Sequence, residues 1–197
     1  MSKDTIKQDV QKFWGSLYDS LYEDIDKDLT QEKLLSGLED LENMFRMRGH
    51  GAVADMPLGD LAGKHVLEIG PGAGGHSALF AKYGAVVTSA DITYARAIST
   101  QAKFDLLAGK AIGCQALQSD GEHLPFADNS FDIVYSNGVL HPTADTEKAI
   151  GEAFRVLKPE GRAVIMLYCK SSWHYWINMF FFAGILQGKL LSGRNWL

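Results

Sequence analysis

The sequence predicts a doubly wound α/β domain, in which a mostly parallel sheet carries helices on both faces. From Lys64 onward, short apolar runs alternate with segments of helical periodicity. The apolar runs are continuous, which is typical of parallel strands buried on both faces. A glycine-rich turn follows the first run, in the stretch HVLEIGPGAGGHS, and this is where a sheet of this class places a ligand.

The first fifty residues are predicted to form helices that precede the sheet. In the stretch DVQKFWGSLYDSLYEDI, apolar side chains recur at spacings of three and four residues, which marks one face of a helix. A second helix is expected to begin after Thr30, which can cap it, and to end near Gly49. The expected division is a helical N-terminal extension over 1–60, a ligand-binding domain over 61–170 and an apolar helix over 171–197.

The predicted sheet has five strands, separated by helices over residues 77–83, 93–107 and 144–157. Pro159 and Gly161 are expected to turn the chain from the last of these helices into the fifth strand. The predicted strands are HVLEIG, AVVTSAD, AIGCQALQSD, FDIVYSNG and RAVIMLYC.

Composition excludes several classes of function. A chain of 197 residues suits one domain, and its net charge of -5, without a basic run, disfavours nucleic acid as the main partner. The two cysteines and six histidines show no metal-ligand spacing, so no metal site is predicted. The N-terminus MSKDTIKQDV carries charges where a signal peptide needs an apolar core, which favours a cytoplasmic protein.

The glycines by themselves leave the ligand open. Gly70, Gly72 and Gly75 satisfy the G-x-G-x-x-G pattern that is quoted for dinucleotides, but short glycine patterns arise often by chance. Asp91 closes the second predicted strand, where a carboxylate can accept hydrogen bonds from both hydroxyls of a ribose. NAD and S-adenosylmethionine fit this placement equally well.

Two further acids favour S-adenosylmethionine. Glu68 lies at the tip of an apolar strand, where it would repel the pyrophosphate of NAD but attract a sulfonium or an ammonium group. A buried carboxylate needs a partner, and we expect the ligand to be that partner. Asp120 ends the third strand, where it can accept from an adenine amino group, with the main chain of Gly121 beside the ring.

Four stretches, in this order, resemble class I S-adenosylmethionine-dependent methyltransferases, and in particular the small-molecule enzymes of ubiquinone and menaquinone biosynthesis. They are VLEIGPGAGG, Asp91, SDGEHLPFADNSFDIVYSNGVLH and EAFRVLKPEGRAVIMLY, within residues 60–170. The resemblance implies a Rossmann-like sheet, S-adenosylmethionine as methyl donor and S-adenosylhomocysteine as product. By position it implies cofactor contacts for Glu68, Gly70, Gly72, Gly74, Asp91, Ile92, Asp120, Gly121 and Ser136.

His141 is the candidate general base, just past the fourth strand at the rim of the expected pocket. Many methyltransferases of this kind rely on positioning alone, so a structural role stays open. Relatives often carry a second histidine where this chain has Pro142, which argues against a paired-histidine role. The aromatic residues Phe13, Trp14, Tyr18 and Tyr22 are expected either in the core or in a lid over the cofactor.

The predicted function is methyl transfer to a small-molecule acceptor. An NAD-dependent oxidoreductase and a non-catalytic S-adenosylmethionine-binding protein are the alternatives. After the fifth strand, the chain shows no counterpart of the sixth and seventh strands of the family. Its apolar segment Trp173 to Leu191 predicts self-association or peripheral contact with a membrane.

Overall fold

The computed structural model describes residues 2–47 and 55–168, and the fold below is that of the compact unit Met1–Met166. The helix predicted over 171–197 lies outside the described residues. Two long helices come first, and five strands then alternate with three helices. In chain order the elements are α1 (Lys3–Lys27), α2 (Gln31–Met47), β1 (His65–Ile69), α3 (Gly75–Lys82), β2 (Val86–Asp91), α4 (Tyr94–Leu107), β3 (Gln115–Gln118), β4 (Phe131–Asn137), α5 (Thr146–Val156) and β5 (Leu157–Met166).

The strands form one parallel sheet in the order β3-β2-β1-β4-β5. The chain moves from β1 outward to β3 and then returns to the other side of β1, so the strand order reverses between β1 and β4. Glu68 in β1 pairs with Ser89 in β2 and with Tyr135 in β4. This arrangement confirms the predicted doubly wound fold, and its ligand crevice is expected at the carboxyl ends of β1 and β4.

Both faces of the sheet are covered, as the continuous apolar strands predict. Val66 packs in one cluster with Leu38 of α2 and Phe80 of α3, whereas its neighbour Leu67 packs on the opposite face with Val156 of α5. Val66 and Leu67 are both fully buried. In the described ranges, the structure contains no helix that is long and apolar enough to cross a membrane.

Two strands differ in extent from the prediction. β3 has only four residues, because the first residues of the predicted strand form a tight turn in which the amide of Cys114 bonds to the carbonyl of Ala111. β5 begins at Leu157, which pairs with Phe131, before the chain bulges and pairing resumes between Arg162 and Ile133. Pro159 and Gly161 therefore shape a bulge inside β5 and not a turn ahead of it.

An ionic cluster of Asp26 with Arg96 and Lys103 connects the C-terminal end of α1 to α4. Asp26 accepts hydrogen bonds from Lys103 at 2.8 Å and from the Ser99 hydroxyl at 2.7 Å, and Arg96 lies 3.3 Å away. The side chains of Arg96 and Lys103 are almost completely buried. Burial raises the pKa of Asp26, but the bonds from Lys103 and Ser99 outweigh it and hold that pKa below its usual value.

Replacing Asp26 by alanine is expected to lower the free energy of unfolding by about 2 kcal/mol, because two buried cations lose a shared carboxylate. The wild type gains this stability above the ordinary pKa of aspartate and loses it as the pH falls through the depressed pKa of Asp26. Urea unfolding at neutral and acid pH measures both effects. Asp9→Ala, at an exposed site on the same helix, is the matched control, and an equal loss in both variants would contradict the assignment.

Candidate functional site

The turn between β1 and α3 is a tight glycine loop. Gly70, Gly72 and Gly74 have φ angles of 74°, 55° and 75°, a region that residues with side chains rarely adopt. A Cβ on Gly70 would lie 2.9 Å from the Cβ of Val139, and one on Gly74 would lie 3.0 Å from the Cα of Thr100. The loop is therefore packed closely against its surroundings and has a left-handed backbone at these positions, and both features require glycine.

Asp91 ends β2 beside this loop. Its Oδ1 accepts bonds from the amide and the hydroxyl of Thr93, each at 2.8 Å, and the backbone N–H of Gly72 also donates to the carboxylate. Burial raises the pKa of Asp91, and the bonds from Thr93 and Gly72 offset part of that rise. The carboxylate is thus oriented at the crevice before any ligand arrives.

Glu68 lies beneath the loop and is 1% exposed. The Ser77 hydroxyl donates to its carboxylate and also lies 2.6 Å from the Ser89 hydroxyl, while Nδ1 of His76 is 3.7 Å from Glu68 Oε1. The protein itself therefore supplies the partners that a buried carboxylate needs. Burial alone does not require a ligand at Glu68, so its contact with a cofactor stays a prediction.

The loop after β3 brings a second acid to the same end of the sheet. The amide of Glu122 donates to Asp120 Oδ1 at 2.9 Å, and a Cβ on Gly121 would lie 3.3 Å from Cγ2 of Ile69. Burial raises the pKa of Asp120, but bonds from Lys7 and from the Glu122 amide outweigh it and hold the pKa below its usual value. Asp120 is therefore an anion at neutral pH.

Ile92 and Ser136 flank the crevice in different ways. The carbonyl of Ile92 accepts a bond from the side-chain amide of Gln118 at 3.0 Å. Ser136 is fully buried, and its hydroxyl donates to the carbonyl of Ile69 at 3.0 Å, which ties β4 to β1 where the strand order reverses. The hydroxyl of Ser136 therefore already has a hydrogen-bond partner within the protein, and a contact between this residue and the cofactor remains a prediction.

His141 follows β4 by four residues and is half-buried. Burial lowers the pKa of its imidazole, because a charged ring loses solvation there. The ring is therefore neutral at pH 7 and can accept a proton.

Three residues of α1 reach the same end of the sheet, and two of them, Lys7 and Gln11, were not among the residues predicted to lie there. Lys7 Nζ lies 2.5 Å from Asp120 Oδ2, and the side-chain amide of Gln11 donates to the Ile92 carbonyl at 3.0 Å. The Tyr18 hydroxyl is the atom that a Cβ on Gly72 would meet. Spacings of four and seven residues place all three on one helix face, and this spacing is the signal that the prediction missed.

Comparison with known proteins gives a family match to this part of the chain. The family model of the methyltransferase domain matches residues 67–165, half of the chain. That span begins in β1 and ends in β5, so it contains the glycine loop, Asp91, Asp120 and His141.

Curated relatives are similar over the same part. The ubiquinone/menaquinone biosynthesis C-methyltransferase of Haemophilus ducreyi is 37% identical over 112 residues, covering 55% of this chain and 42% of that protein. The demethylmenaquinone methyltransferase of Clavibacter sepedonicus is 33% identical, covering 63% and 47%. The sterol 4-C-methyltransferase of Caenorhabditis elegans is 33% identical, covering 51% and 30%. The chain spans less than half the length of each of these relatives.

A solved structure supports the fold. A proposed S-adenosyl-L-methionine-dependent methyltransferase from Methanococcus maripaludis superposes with a TM-score of 0.53 at 20% identity, covering 70% of this chain and 64% of that one. At that identity the likeness concerns the architecture of the sheet and its helices.

Proposed function

This chain belongs to the methyltransferase domain family, its cofactor is S-adenosylmethionine, and we propose that it transfers the cofactor's methyl group to a small-molecule acceptor. The observation that carries the proposal is the glycine loop, which lies beside the oriented carboxylate of Asp91 at the reversal of strand order. S-adenosylhomocysteine is the expected product.

The residues at the crevice suit this cofactor chemically. Asp91 would accept hydrogen bonds from the ribose hydroxyls, and Asp120 would accept from the adenine amino group. Gly121 and Ile92 would flank the adenine, while the loop of Gly70, Gly72 and Gly74 would lie against the methionine part with Glu68 and Ser136. Asp91 and Asp120 at the crevice, with Glu68 buried beneath the glycine loop, suit a cationic ligand without phosphates and disfavour the pyrophosphate of a dinucleotide.

The cofactor supplies an activated methyl group on a sulfonium, so the protein mainly has to position the acceptor and remove its proton. Alignment of the acceptor atom with the methyl group provides much of the acceleration in such a displacement. The neutral imidazole of His141 is the base that we propose to take the acceptor's proton and pass it to solvent. The named relatives act on quinone-type compounds and on sterols, which supports an apolar acceptor.

Replacing Asp91 by alanine is expected to weaken S-adenosylmethionine binding by about 1.5–3 kcal/mol, the range for charge-assisted hydrogen bonds. Titration calorimetry measures the affinity, and thermal unfolding checks that the variant is folded. Asp105→Ala is the matched control, because Asp105 is exposed near the far end of α4. Unchanged affinity in a folded Asp91→Ala protein would contradict the ribose assignment.

The two alternatives give different calorimetric results. An NAD-dependent oxidoreductase would bind NADH in a way that S-adenosylmethionine does not displace. A non-catalytic binding protein would bind S-adenosylmethionine and S-adenosylhomocysteine without turnover on any acceptor. A cytoplasmic location stays a prediction. Self-association or membrane contact through Trp173 to Leu191 also stays a prediction, since that segment lies outside the described residues.

A further inference from the structure

One face of α1 contacts the loops of the crevice along its N-terminal half and middle. The contacts are Lys3 with Asp145 at 2.7 Å, Lys7 with Asp120 at 2.5 Å and with Glu122 at 2.9 Å, Gln11 with the Ile92 carbonyl at 3.0 Å, and Tyr18 with Gly72. Asp120, Ile92 and Gly72 are three of the residues that we assign to the cofactor. The helix therefore contacts cofactor-binding groups directly.

Lys7 is the centre of this contact. Its side chain is 21% exposed and reaches the carboxylate of Glu122, which is 2% exposed, as well as that of Asp120. A carboxylate oxygen of Asp120, a carboxylate oxygen of Glu122 and a ring nitrogen of His123 lie within 4.8 Å of one another, and Lys7 provides a positive charge against this cluster. Burial lowers the pKa of Lys7, but its bonds to Asp120 and Glu122 outweigh burial and raise it, so Lys7 is a cation at neutral pH.

The acceptor positions of Asp120 are largely taken. Oδ1 receives the amide of Glu122, and Oδ2 faces both Lys7 and Nδ1 of His123, the latter at 3.2 Å. A carboxylate offers about four acceptor positions. Three of these positions are used. An adenine amino group brought to Asp120 would lie beside the ammonium of Lys7, and because both are donors they compete for this one carboxylate.

We propose that the N-terminal half of α1 is a latch, in which Lys7 occupies Asp120 in the cofactor-free protein and must leave it for the adenine to bind. This inference rests on the proposed function, because Asp120 is the adenine partner only there. When the latch is closed in most molecules, only the remaining open fraction can bind the cofactor. The apparent association constant is then the intrinsic constant multiplied by that open fraction. The latch thus sets both the affinity and the exchange rate of the cofactor.

The two ends of α1 are held by different contacts, which allows one end to open alone. The C-terminal end is anchored by Asp26 to Lys103, Ser99 and Arg96, whose side chains are buried in α4. The N-terminal end is held by Lys7 and by Lys3, whose side chain is 65% exposed. The ion pair of Lys3 is exposed, so it stabilises weakly and is screened by salt. Lys7 is the stronger hold, and once it leaves Asp120 the N-terminal turns can lift while Asp26 stays in place.

Calorimetry with S-adenosylhomocysteine tests the latch, because this probe carries no net charge at neutral pH and its affinity has little salt dependence of its own. Lys7→Met removes the charge but keeps the apolar stem, and we expect it to bind the probe about three- to tenfold more tightly than the wild type. Raising the salt concentration from about 50 to about 500 mM is expected to tighten binding by the wild type less than Lys7→Met does, because the partly buried pairs of Lys7 are screened less than exposed ones, and to change binding by Lys7→Met less still. Lys12→Met, at an exposed position of α1, is the matched control and is expected to behave as the wild type.

Hydrogen exchange in the ligand-free proteins gives a second readout. The amides in the first turns of α1 are expected to exchange faster in Lys7→Met than in the wild type, while those near Asp26 keep their protection. Equal or weaker binding by Lys7→Met, equal tightening by Lys12→Met, or unchanged exchange would each overturn the latch alone. Absence of probe binding by all three proteins would overturn the proposed function and the latch with it.

Discussion

Replacing Gly70 by valine is expected to abolish detectable cofactor binding and to lower the free energy of unfolding by about 3 kcal/mol. The φ of 74° costs a residue with a side chain about 1–2 kcal/mol. The new Cβ would also lie 2.9 Å from the Cβ of Val139. That atom is next to the backbone and has little room to move, so overpacking adds about 1–3 kcal/mol. Urea unfolding and calorimetry measure the two effects.

Two other glycines provide a control and a comparison for the Gly70→Val variant. Gly151→Val is the matched control, because a Cβ at that position in α5 meets nothing within 4 Å, and its stability is expected to change by less than about 0.5 kcal/mol. At Gly72 the atom in the way is the hydroxyl of Tyr18, the far end of a flexible side chain. Gly72→Val is therefore expected to retain more stability than Gly70→Val while losing binding. Normal cofactor binding by Gly70→Val would contradict the assignment of the loop.

The sheet could be predicted from the sequence because strands that are buried on both faces consist of continuous runs of apolar residues. Val66 and Leu67 are adjacent, yet they pack in clusters on opposite faces, and only an uninterrupted apolar run permits that. The glycine loop was predictable for a similar reason, since Gly70, Gly72 and Gly74 each hold a positive φ. Continuous apolar strands and glycine turns depend on residues that are adjacent in the chain, so both can be predicted from a single sequence.

Features that depend on distant partners could not be read in that way. Pro159 and Gly161 have turn chemistry, and nothing local distinguishes a turn before β5 from the bulge that the pairing of Leu157 with Phe131 creates. The partners of a buried acid also depend on packing. Ser77 reaches Glu68 only because α3 packs against the sheet, whereas the sequence alone predicts the ligand as the partner of Glu68.

The contact between Lys7 and Asp120 is the extreme case of this limit, because the two residues are 113 positions apart. Only the packing of α1 across the loops brings them together. The N-terminal aromatics, by contrast, were conspicuous in the sequence, yet Phe13 is 59% exposed while Tyr18 lies at the glycine loop. The polar residues of this helix, and not its aromatic density, made most of the contacts with the crevice.

The base assignment leads to the largest expected effect on turnover. Replacing His141 by alanine is expected to lower turnover by about 10²- to 10⁴-fold while the affinity for S-adenosylmethionine is kept, because general base catalysis acts on the acceptor's proton. Initial rates of S-adenosylhomocysteine formation with a quinol-type or sterol acceptor measure turnover, and calorimetry measures affinity. His65→Ala is the matched control, since His65 is exposed at the amino end of β1, away from the crevice.

The pH dependence separates a base from a residue that only shapes the pocket. Burial lowers the pKa of His141, so the wild-type rate is expected to rise with pH and to level off above an inflection below about 6.5, the ordinary value for histidine. His141→Ala is expected to lose that inflection, because the group that titrates is gone. A loss of turnover below about threefold, or an inflection that persists in His141→Ala, would assign catalysis to positioning of the acceptor alone.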